Sequence, residues 1–76
     1  MDRLTHPPTH PPTARELEVQ ECLLQGKSNK EIAVKLGISD RTVKAHVKGL
    51  LGKLGFSNRV ELLAARLAEQ VKRRAA

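Results

Sequence analysis

Twice in its first half the chain spells out a helix start followed by a helix stop, and that punctuation allows little besides short packed helices. Thr13-Ala14-Arg15-Glu16 is a capping box, in which the Thr hydroxyl and the Glu carboxylate satisfy orphan amides at a helix start. Val19, Cys22 and Leu23 follow at i, i+3 and i+4 as the inward stripe, Gln20 and Glu21 face outward, and Gly26 ends the helix. Ser28-Asn29-Lys30-Glu31 repeats the box and opens a helix of about two turns, buried through Ile32, Ala33 and Leu36 and closed by Gly37.

Ser39 is a good N-cap for a third helix, whose apolar positions Val43, Val47, Leu50, Leu51 and Leu54 fall at helical spacing. Gly55-Phe56-Ser57 interrupts the pattern, and Asn58-Arg59-Val60-Glu61 caps a fourth helix. That helix runs through Leu62, Leu63, Leu67 and Val71 and is expected to fray at Lys72-Arg73-Arg74. Four helices, short loops and no strand signal predict an all-α fold. A chain of 76 residues with one Phe and neither Trp nor Tyr has material for a single aliphatic core.

Ahead of this block, residues 5–12 read THPPTHPP. Each proline fixes φ and pushes its predecessor away from the α region, so residues 1–12 are expected to form an extended, flexible Pro-rich arm ahead of a domain over 13–74. His6 and His10 in that arm lack a third ligand, so no metal or other cofactor is expected. Cys22 is the single cysteine, which rules out an internal disulfide and reads as a small core residue. Without an apolar stretch near the roughly 18 residues that cross a bilayer, a membrane partner is not expected and a cytoplasmic location is. Nor does the sequence offer a carboxylate pair or a nucleophile beside a base, so an enzyme is not expected.

Charge then points to a partner. The net charge is +6, and it is uneven: residues 1–26 carry −2, residues 27–53 carry +5 and residues 54–76 carry +3. The middle third is also where two helices meet at a short turn containing Gly37, with Ile38 to bury in the elbow, the layout of a helix-turn-helix. Opposite the apolar stripe of the third helix stand Arg41, Lys44, Ala45 and Lys48. A basic ridge with a small residue at its centre suits a DNA major groove, because Ala45 lets the backbone approach while Lys44 and Lys48 reach base acceptors. The helix starts at Ser28 and Ser39 aim first-turn amides toward phosphates beside Lys30, Arg41 and Thr42. His46, between the two faces, would donate to a phosphate or pack against the second helix, and Lys53 would reach the flanking backbone or serve solubility alone.

The run TARELEVQECLLQGKSNKEIAVKLGISDRTVKAHVKGLLGKLGFSNRVEL resembles the DNA-binding domain of the LuxR/NarL/FixJ family of transcription regulators. SNKEIA, LGIS, TVKAHV, KLGF and NRVEL stand in that family's order and spacing. The resemblance implies a four-helix fold whose third helix enters the major groove of double-stranded DNA and whose fourth pairs two subunits. Carried over residue by residue, Lys44, Ala45 and Lys48 fall at base-reading positions. Asn29, Lys30, Arg41, Thr42 and His46 fall at sugar-phosphate positions, and Ala64, Leu67, Ala68 and Val71 lie on the dimerising helix. A homodimer formed mainly on DNA is the expected assembly, with RNA polymerase as a further partner for a regulator of this kind.

The chain departs from the family at Gln20, where an apolar residue is usual, at Ala14, where proline is common, and at Gly49 and Gly52, which should soften the third helix. Two other readings stand beside this one. Region 4 of an alternative sigma factor has a similar helix-turn-helix but does not need the fourth amphipathic helix. A protein-interaction module would use that helix and leave the basic face incidental.

Overall fold

The capping chemistry expected from the sequence is built almost as written. A computed structural model describes residues 11–75, in four helices with no strand among them: α1 (Ala14–Leu24), α2 (Asn29–Leu36), α3 (Asp40–Leu54) and α4 (Arg59–Ala75). Most of the THPPTHPP segment, with His6 and His10, lies outside the described residues.

Thr13 and Ser28 both make complete capping boxes: each side chain accepts from the amide three residues on, and Glu16 and Glu31 accept from the amides of Thr13 and Ser28 in return. Ser39 accepts from the Thr42 amide at 3.1 Å. At α4 the reciprocal arrangement slips by one residue. Asn58 Oδ1 accepts from the Glu61 amide at 3.0 Å, while the Glu61 carboxylate takes the amide of Ser57.

The first three helices end alike. In α2 and α3 a glycine at positive φ, Gly37 at 69° and Gly55 at 81°, turns the chain so that the next residue's amide reaches back to the carbonyl five positions earlier, Ile38 to Ala33 and Phe56 to Leu51. That reversal folds Ile38 and Phe56 against the core, so the stop signal also places an apolar plug. Lys27 closes α1 onto Cys22 in the same way.

Val19 and Leu23 of α1, Ile32 of α2, Val43 and Leu50 of α3 and Leu62 of α4 have no exposed surface, and Cys22 and Ala33 fill the space between them. Each of the large side chains contributes about 1.5–3 kcal/mol by leaving water. Leu36, Val47, Leu51, Leu54 and Leu63 close the margins, half-buried.

Two sequence expectations are corrected. α4 does not fray at Lys72-Arg73-Arg74 but stays helical to Ala75; cations in the last turn oppose the negative end of the helix dipole and favour that continuation. Gln20 does not face water. It is half-buried beside α4, where its Oε1 accepts from Arg66 at 3.4 Å, so a polar contact stands where the family usually has an apolar residue.

Among the described residues Glu16 is the buried charge, 7% exposed. Its Oε1 accepts from the Thr13 amide at 2.9 Å and from Lys53 Nζ at 2.8 Å, pinning the start of α1 to the last turn of α3. Lys53 also donates to the Pro11 carbonyl at 3.4 Å. The carboxylate's other oxygen lies where a Cβ on Gly49 would come within 2.8 Å, so Gly49 makes room for the carboxylate, whereas Gly52 faces open space. The Lys53 and Thr13 hydrogen bonds hold Glu16 below its ordinary value of 4.5, against the opposing effect of burial.

Candidate nucleic-acid interface

The helix-turn-helix is made by α2, the Gly37–Ser39 turn and α3. Ile32 and Ala33 of α2 and Val43 and Leu50 of α3 point into one core, which fixes the two helices relative to each other through packing rather than through a polar bridge. The opposite side of α3 is left to solvent. Arg41, Lys44, Ala45 and Lys48 are all exposed, forming a ridge of three cations around a methyl group, with no carboxylate bound to any of the three among the described residues. His46 is half-buried at the edge of that ridge, between water and core.

The caps consume part of what the helix starts could offer an anion. Ser28 and Glu31 take each other's amides at α2, and Ser39 takes the Thr42 amide at α3. The amides of Asn29, Lys30, Asp40 and Arg41 remain as first-turn donors without a helical partner. Thr42 is half-buried, its hydroxyl paired with that of Ser39 at 2.9 Å. The Glu31 carboxyl is held below its ordinary range, first by the Ser28 amide, so it stays ionised beside exposed Lys30.

Two of the residues placed at the sugar-phosphate backbone are engaged within the protein. Lys53 is not a free cation reaching outward, because Glu16 and Pro11 hold its ammonium. Asn29 is half-buried and its Oδ1 accepts from Arg59 Nη1 at 3.3 Å. Arg59 also donates through Nη2 to the Lys27 carbonyl at 2.8 Å. Sequence reasoning gave Arg59 no part. No local signal singles it out, since Lys30 and Arg41 are first-turn cations as well and stand exposed, and the contact that engages Arg59 spans 30 residues.

Along α4, Ala64, Leu67, Ala68 and Val71 are all exposed and, flanked by Glu69 and Lys72, form an apolar stripe. Leu67 and Val71 keep 62% and 59% of their surface, too much for a stripe that belongs to the core. No helix among the described residues is long and apolar enough to cross a membrane.

With this arrangement in view, the sequence pattern of the GerE family, described as bacterial regulatory proteins, luxR family, matches residues 11–66. The chain belongs to the luxR family of bacterial regulatory proteins. Among curated relatives of this LuxR-family domain, the probable transcriptional regulatory protein SgaR of Hyphomicrobium methylovorum is 47% identical over 64 residues, covering 84% of this chain and 30% of that protein. The transcriptional regulatory protein UhpA of Salmonella typhimurium is 56% identical over 52 residues, covering 68% of this chain and 26% of that protein. The crystal structure of the response regulator ChrA, from a heme-sensing two-component system, superposes with a TM-score of 0.72 at 40% identity, over 83% of this chain and 31% of that one. The LuxR-family domain described here thus spans under a third of the length of the relatives it matches.

Proposed function

We propose that this LuxR-family domain is the DNA-reading part of a bacterial transcription regulator, the output domain of a response regulator or a small regulator in its own right, working in the cytoplasm. The observation that carries the reading is the two-sidedness of α3: Val43 and Leu50 are shut in the core while Arg41, Lys44, Ala45 and Lys48 stand in water. An α-helix fits the major groove only if one face is free of the protein body and small enough at its centre to approach the bases. Lys44, Ala45 and Lys48 then read base edges, and Asn29, Lys30, Arg41, Thr42 and His46 meet the sugar-phosphate backbone. Lys53 would reach the flanking backbone only by leaving Glu16, which holds it in the free domain.

The exposed face of α4 supports pairing of two domains through Ala64, Leu67, Ala68 and Val71 on adjacent half-sites. One short helix in a groove binds weakly, and pairing adds affinity through effective concentration. The free domain is accordingly monomeric and pairs on DNA, and RNA polymerase is the further partner of such a regulator. A tight dimer in ultracentrifugation without DNA would contradict the first half of this statement.

The direct test is selection of the domain against a random duplex library at about 100 mM salt, followed by sequencing of the retained fraction. Enrichment of a motif with two related half-sites supports the reading. Within that assay Lys48→Ala relaxes base preference, while Lys30→Ala weakens all sequences alike and reduces the salt slope by about 1. Identical specificity profiles for the two variants would remove this division of labour. The apolar face of α4 also suits a protein-interaction module, and salt separates the two: DNA binding weakens steeply between about 50 and 200 mM, whereas an apolar helix contact does not.

A further inference from the structure

Arg59 opens α4, yet α4 packs on α1 and α3 rather than on α2. Its guanidinium reaches the start of α2 all the same. One nitrogen donates to the Lys27 carbonyl in the turn before α2 and another to the Asn29 side chain at the first position of α2. A cation at the start of a helix is disfavoured by the dipole there, and Lys27 and Lys30 add like charge nearby. Two hydrogen bonds in a fixed fork offset that cost, and lysine, a point charge on a flexible stem, does not reproduce the fork.

The consequence falls on Asn29. Arginine has only donors, so the atom of the Asn29 amide that faces Arg59 is the oxygen, and the amide orientation is fixed by chemistry. The nitrogen is left as a donor pair. Among the described residues no hydrogen bond takes Asn29 Nδ2, and it is not a buried atom lacking a partner, so it keeps contact with solvent at the first position of α2, one residue before exposed Lys30.

We infer that Arg59 is a positioning residue for DNA binding: by holding Asn29 Oδ1 it presents the Asn29 amide as a donor to a backbone phosphate, and so ties the start of α4 to the phosphate contact of α2. This rests on the DNA reading above. Without Arg59 the amide is free to turn its oxygen outward, where it repels a phosphate instead of binding one.

The test is a double-mutant cycle on the full chain with a duplex of arbitrary sequence at low salt, because a phosphate contact is independent of sequence. Asn29→Ala and Arg59→Ala each lower affinity about threefold to tenfold, the size of one lost hydrogen bond. In the Asn29→Ala background, Arg59→Ala produces little further loss. A full second loss there shows that Arg59 acts by its own charge or through the fold, and overturns the inference.

An independent readout does not depend on affinity. The side-chain amide protons of Asn29 in the wild-type domain shift in a nitrogen–proton correlation spectrum on addition of the same duplex, and in folded Arg59→Ala they do not. Asn29 protons that stay unmoved by a duplex the domain does bind would overturn the inference while leaving the DNA reading intact. No salt-dependent binding by the wild-type domain would instead overturn the reading and this inference with it.

Discussion

The first three helices and the fourth are held by different means. α1, α2 and α3 close five large aliphatic side chains completely away from water, whereas α4 adds one, Leu62, and leaves Val60, Leu67 and Val71 between 59% and 69% exposed. α4 is attached at its first half, by Leu62 and Leu63 and by the polar reach of Arg59 and Arg66, and its second half carries an apolar stripe left mostly exposed. Helical periodicity therefore says that a face is apolar but not whose surface it meets. In the first three helices the stripe meets this chain, with Val34 of α2 standing off it at 82% exposed, and in α4 the proposed surface is that of a second subunit.

The comparison breaks most visibly at a core position. Leu23→Ala removes a side chain with no exposed surface and should cost about 2–5 kcal/mol, a large share of the roughly 5–15 kcal/mol that stabilises a small domain. Urea unfolding should show the midpoint falling sharply or the cooperative transition disappearing. A midpoint within experimental scatter of wild type would mean the core is not packed as described.

Next in size are the two glycines inside α3. Their effects should have opposite signs. Gly49→Ala drives a Cβ to within 2.8 Å of the buried Glu16 carboxylate and should lose about 1–3 kcal/mol through overpacking, despite the better helix propensity of alanine. Gly52→Ala meets nothing within 4 Å and should gain about 1 kcal/mol. Equal stabilisation of both, read from thermal unfolding, would show that Glu16 does not occupy the space Gly49 leaves.

Glu16 also links the contact between α1 and α3 to pH. Its carboxyl is held below the ordinary 4.5 in the folded state, so the unfolded chain binds more protons in the interval between the two values. The stabilisation it gives is complete above the unfolded value and is lost as pH falls through the folded one. Lys53→Met removes the largest cause of the lowered value, so melting temperature plotted against pH below about 4.5 should fall less steeply than in wild type. An unchanged acid limb would mean that another carboxyl governs it.

The smallest expected change in stability lies in α4, where it sharpens the contrast. Leu67→Ala should alter monomer stability by no more than about 0.5 kcal/mol, as exposed positions usually do, yet weaken the pairing of two domains on a duplex. Sedimentation of the domain on DNA measures the second effect and urea unfolding the first. A large stability loss with unchanged pairing would move Leu67 into the monomer's own core.

Much of this was written locally. The helix starts at Thr13, Ser28 and Ser39, the stops at Gly26, Gly37 and Gly55 and the inward residues Val19, Leu23, Ile32, Val43 and Leu50 follow from interactions spanning three to five residues, which a sequence displays directly. So does the free basic face of α3, because the positions opposite a buried stripe are fixed by the helical repeat. What the tertiary structure alone decided are the contacts between side chains far apart in the chain. Lys53 pairs with Glu16, 37 residues away; Gln20 pairs with Arg66, 46 away; and Arg59 reaches Asn29, 30 away. Long polar side chains carry no periodic signature, and which acceptor they find depends on how the helices cross. The caps and stripes of one helix do not specify that crossing, and only the packing of all four sets it.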